Sequence, residues 1–123
     1  MTNDVNRNAL AAALKLSGGR VVKVSSPTEL VINLGEQAGL RHGQEVLIYA
    51  IGEELFDPVT NESLGQLELV KGRGRVTHLQ PRLATVENTE TYKRDQFGLF
   101  GRGQEVATAP FRNPSVGDLV RIL

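Results

Sequence analysis

His42 and His78 are the only imidazoles in this chain, and no cysteine accompanies them. A protein zinc site takes three or four N, S or O ligands. Two histidines on separate segments, His42 in a glycine-punctuated turn and His78 half-buried in an apolar strand, do not make such a set. Nucleophilic catalysis of the triad kind needs Ser, His and an acid in register. Ser25, Ser26, Ser63 and Ser115 all fall in turn-forming stretches, where serine bonds its own backbone, and no Gly-x-Ser-x-Gly occurs. Gly98-Leu99-Phe100-Gly101-Arg102-Gly103 is rich in glycine, but no helix pattern and no Gly-Lys-Ser/Thr follow it, so it lacks the parts of a phosphate loop. Asp57 to Glu62 offers oxygen ligands without the alternating Asp/Asn-plus-Gly order of a calcium loop, and reads as turn chemistry. No catalytic, metal-ligating or cofactor-binding residue is therefore assigned, and a non-enzymatic role is expected.

Two surface groups remain. Lys71-Gly72-Arg73-Gly74-Arg75 alternates cation and glycine. On a regular strand the three cations share one face, and with Arg41 and Arg102 they form a candidate contact for single-stranded nucleic acid. Stacking aromatics are not interleaved with them, and charged residues on an exposed strand also block edge pairing. Phe97, Leu99, Phe100 and Phe111 lie in a long polar, glycine-rich region and form the candidate contact to a protein partner or a second subunit; the competing reading folds them back over the end of the domain.

These groups need a scaffold, and the sequence describes one. The chain has 123 residues, 14 Lys and Arg against 14 Asp and Glu, and hydrophobic content of 40% with few aromatics. Balanced charge gives no global field toward nucleic acid or an anionic membrane. After Gly19 the pattern is β: Val21–Val24, Leu30–Leu34, Glu45–Ile51, Leu67 and Leu69 half-buried beside Gln66 and Glu68, Val76–Leu79, Leu83–Val86, a weak Glu105–Thr108, and a strong Asp118–Leu123. Gly72 and Gly74 suggest a bulge or barrel corner. Between the third and fourth strands, Asp57-Pro58-Val59-Thr60-Asn61-Glu62 is a dense turn signal. Residues 88–103 read as a polar loop. The fold expected is mainly β: a small six- or seven-stranded barrel of SH3 or OB size over residues 20–123, with residues 1–19 as a short helix (Leu10 and Leu14 on one face) or a disordered tail. Arg41-His42-Gly43-Gln44-Glu45-Val46 echoes Arg102-Gly103-Gln104-Glu105-Val106 and, more loosely, Val116-Gly117-Asp118-Leu119-Val120, as a recurring turn into a strand.

In order, Leu30-Val31-Ile32-Asn33-Leu34-Gly35, Gly39-Leu40-Arg41-His42-Gly43, Val46-Leu47-Ile48-Tyr49, Asp57-Pro58-Val59-Thr60-Asn61-Glu62-Ser63-Leu64-Gly65, Arg75-Val76-Thr77 and Val116-Gly117-Asp118-Leu119-Val120 resemble the small C-terminal β domain of the flagellar-assembly protein FlgT and of curli-transport-like bacterial envelope proteins. Those domains carry a hairpin of the form DP-x-T-G-E-x-LG; here Asn61 stands at its glycine and tolerates the same left-handed turn. The resemblance implies a fold and, by analogy, a protein–protein assembly role with no catalytic residues. The expected partner is a protein, with self-association as one form of that role and nucleic acid as the alternative. No run approaches the ~20 apolar residues that span a bilayer, so membrane insertion is not expected. No secretory signal is legible, so the cytoplasm is the expected location, with the periplasm expected if the native N-terminus is missing.

Overall fold

The computed structural model describes residues 18–95 and 104–123. The strands are β1 (Gly19–Ser26), β2 (Glu29–Ile32), β3 (Glu45–Phe56), β4 (Ser63–Leu79), β5 (Ala84–Asn88), β6 (Thr91–Asp95), β7 (Gln104–Thr108) and β8 (Leu119–Ile122), with one 3-10 turn at Glu36–Ala38. Six of them close an antiparallel barrel in the order β1-β2-β5-β4-β3-β8, and β6 and β7 form a separate two-stranded ribbon. The expected barrel is thus present, in its six-stranded form.

Alternation builds the core. Val21, Leu30, Ile32, Val46, Ile48, Val76, Val86 and Val120 point inward and are fully buried, and β-branched and aliphatic side chains of this kind suit a pleated inner surface. Small residues let the barrel turn its corners. Gly74 faces Val86, and a Cβ there would lie 2.8 Å from the Val86 Cβ. Between Ile48/Gly72 and Tyr49/Val70 the register shifts, leaving Lys71 as the extra residue of a bulge. Gly43 and Gly117 take φ values of +84° and +97°, each separated by a single residue from the start of β3 or β8, so the repeated glycine is a turn device in both copies that the structure describes.

Three expectations about elements are corrected. Residues 88–103 are not wholly loop: Thr91–Asp95 pairs with Gln104–Thr108. Its signal was missed because Thr91-Tyr92-Lys93-Arg94-Asp95 has no apolar alternation; the ladder and an Arg94–Glu105 pair at 2.9 Å hold it. His78 is exposed on β4 rather than half-buried, and His42 lies on its expected turn. Leu67 and Leu69 are exposed rather than half-buried, 42% and 47% respectively, because β3 and β4 outrun their neighbours. The helix or tail over residues 1–19 lies almost wholly outside the described residues.

Candidate functional site: a hairpin arm

β8 pairs with β3 only from Val46 to Tyr49, and β5 pairs with β4 only from Gly74 to Leu79. Beyond those limits β3 and β4 continue alone, Ala50 opposite Leu69 through Phe56 opposite Ser63. At ~3.3 Å per residue the pair projects about 20 Å past the barrel rim. Its tip is held by the turn chemistry the sequence announces. The Asp57 carboxylate accepts backbone N–H bonds from Val59 at 2.7 Å and Thr60 at 3.0 Å, Asp57 N donates to Glu62 O at 2.8 Å, and Asn61 sits at φ +62°. The bonds from Thr60 and then Val59 hold the Asp57 carboxyl below its ordinary value of 3.8, since an amide donor favours the charged form.

Opposed residues of an antiparallel pair share a face. Ala50 opposes Leu69, and Leu55 opposes Gly65; with Leu67 they form one face, which continues the inward row Val46–Ile48 past the rim. Tyr49, Ile51, Glu54, Gln66, Glu68 and Val70 form the other. Arg121 anchors its base: the guanidinium lies 4.7 Å from the centroid of the Tyr49 ring and pairs with Glu68. From 50 to 70 the chain carries Glu53, Glu54, Asp57, Glu62 and Glu68 and no Lys or Arg. The arm is therefore an apolar stripe in an acidic field, on a hairpin whose flanking strands have both ended. Sequence reasoning found the turn and the strands but missed the stripe.

The residues singled out from sequence fare differently. Phe111 is not a surface contact. It is 3% exposed and plugs the rim from which the arm springs: its N–H donates to Pro27 O at 2.8 Å, and its ring fills the space a Cβ at Gly72 would need, 2.7 Å from Phe111 Cδ1. Phe97, Leu99, Phe100 and Arg102 lie outside the described residues. Lys71 does not join Arg73 and Arg75 in an open cationic face. Its ammonium donates to Asn113 O and Asp118 Oδ1, each at 2.9 Å, and the Lys71 and Asp118 side chains are 13% and 6% exposed. Arg75 is opposed by Glu45 on β3 and by Glu87 on β5. Arg73 and Arg41 remain exposed.

At the opposite end an open groove of about 670 Å³ is lined by Gly18, Asn33, Leu34, Gly35, Gln37, Ala38, Pro81 and Arg82, and among these described residues only Arg82 is ionisable. Among the described residues no three His, Cys, Asp or Glu side chains are grouped to hold a metal ion, and no helix is long and apolar enough to cross a membrane.

Fold and site together define a small closed antiparallel barrel bearing an acidic, apolar hairpin arm. No family model matches the chain, and no curated protein matches it in sequence.

Proposed function

We propose that the protein is a non-enzymatic binding or assembly module that works through protein contacts, with the β3–β4 arm as the contact element. The observation that carries this reading is the run of exposed Leu55, Leu67 and Leu69 beyond the barrel rim. A soluble surface rarely leaves a contiguous apolar strip uncovered unless something docks on it. The likeness to FlgT-type envelope domains points the same way, as fold-level analogy.

The test places a photo-crosslinking residue at Val59 or Leu67 on the arm, and at Lys23 or Thr77 on the barrel wall, in the cells that make the protein. The expected result is protein adducts from the arm positions and none from the wall. Adducts from the wall alone, or from neither, overturn the reading. The nucleic-acid alternative rests on Arg73 and Arg41 and requires an oligonucleotide shift at low salt that collapses as salt rises.

A further inference from the structure

The two edges of the arm are not equivalent. β3 carries an extra residue between Ile51 and Glu54, and it bears Glu53 and Glu54; the later shift, between Leu55 and Phe56, puts its extra residue, Leu64, on β4 but outside Gln66–Val70. Bulges and charges of this kind blunt an edge against strand addition. On β4, by contrast, Glu68, Leu69 and Val70 pair in unbroken succession with Ile51, Ala50 and Tyr49. No backbone bond outside the hairpin reaches Gln66–Val70 among the described residues; the first outside donor along β4 is Arg112 N, to Lys71 O at 2.8 Å. Strand addition to an open edge is a recurring mode of peptide recognition, in which main-chain bonds supply affinity and alternate side chains supply choice.

We propose that Gln66–Val70 accepts one extended segment of a partner protein in which apolar residues alternate with Lys or Arg. The inference rests on the arm being the contact element and adds the partner's chemistry. The alternation follows from the pleat: guest residues on one face meet Leu67 and Leu69, and those on the other meet Gln66 and Glu68. The cationic half follows from the charge. Glu68 is shared with Arg121, but Glu53, Glu54 and Glu62 have no cationic partner along the arm, so the field over it favours an incoming cation. The same charge argues against a second copy of this arm as occupant. Antiparallel self-pairing centred on Glu68 would set two carboxylates directly opposite, and like charges so placed destabilise a sheet.

The test uses the full chain, isotopically labelled, and a short synthetic peptide of alternating valine and lysine; its valine–glutamate counterpart is the control. The expected result is slowed amide exchange confined to Gln66–Val70, about tenfold at a peptide concentration ten times Kd, with the glutamate peptide inert. Leu67→Lys with Leu69→Lys should abolish the effect while Ile48 and Val86 keep their protection, which shows the barrel intact. Protection by both peptides, protection along 50–56 instead, no protection, or slowed exchange that tracks protein concentration without peptide each overturn it. Arm crosslinks to a partner alongside an inert valine–lysine peptide would remove this inference and leave the contact role standing.

Discussion

Lys71 and Asp118 illustrate how one residue can leave a functional patch and become structural. Asp118 accepts from Lys71 at Oδ1 and from Ser115 N at Oδ2, the latter at 2.7 Å, so it ties β4 to the loop that carries Phe111. Breaking a buried pair by removing one partner leaves the other charge uncompensated, which costs about 3–5 kcal/mol; with Lys71 near the rim the lower end applies. Asp118→Ala should therefore cost about 3 kcal/mol in denaturant unfolding. A loss below about 1 kcal/mol would show that the pair behaves as an exposed one. Asp57 makes a pH-dependent counterpart. Its folded carboxyl titrates below the ordinary 3.8 because Thr60 and Val59 donate to the charged form. The contribution of those bonds is thus in place above the ordinary value and is lost as pH falls through the folded one. In an acid titration followed by NMR, the Thr60 and Val59 amides should move together with a midpoint below 3.8 while core amides stay still; a midpoint at or above the ordinary value contradicts the cap.

At the scale of elements, the sequence made some features legible and concealed others for physical reasons. The hairpin tip was plain, because Asp57, Pro58 and Asn61 act within their own turn, and Asn61 takes the left-handed conformation required of it, at φ +62°. The bulge at Gly72 was equally local. The arm's exposure was not local. Ile51, Leu55, Leu67 and Leu69 have the types of a half-buried strand, and burial depends on where β5 and β8 stop, which no pattern within β3 or β4 contains. Phe111 was misplaced for a related reason. It stands among Pro110, Arg112, Asn113 and Pro114, a loop composition, while its burial is set by a vacancy at Gly72, distant in sequence. In the β6–β7 ribbon, β6 lacked any apolar alternation to find, whereas β7 was legible as the weak strand Glu105–Thr108. The candidate site was therefore readable as a turn and as two strands, but not as a surface.

For the whole molecule, the point of closure decides how the barrel opens. β1 and β8 are the first and last strands of the barrel, and they meet over Gly19↔Val120 and Arg20↔Leu119 alone, extended by the exchange of Val21 N to Asp118 O and Gly117 N to Val21 O, each at 2.8 Å. Closing so long a stretch of chain costs more entropy than closing the β3–β4 hairpin, and the shorter ladder returns less. Local opening should begin at this seam. Gly19 controls it: a Cβ there would meet Leu34 Cδ1 at 2.6 Å and Val120 Cβ at 3.0 Å. Gly19→Val should then cost about 1–3 kcal/mol by overpacking. Amide exchange at Val21 and Val120 should accelerate more than at Val86, where β4 and β5 enclose the core. Equal acceleration at all three would mean that the barrel has no preferred seam and opens as one unit. Either way the tip of the arm should keep its bonds, because nothing in its turn depends on β1 or β8.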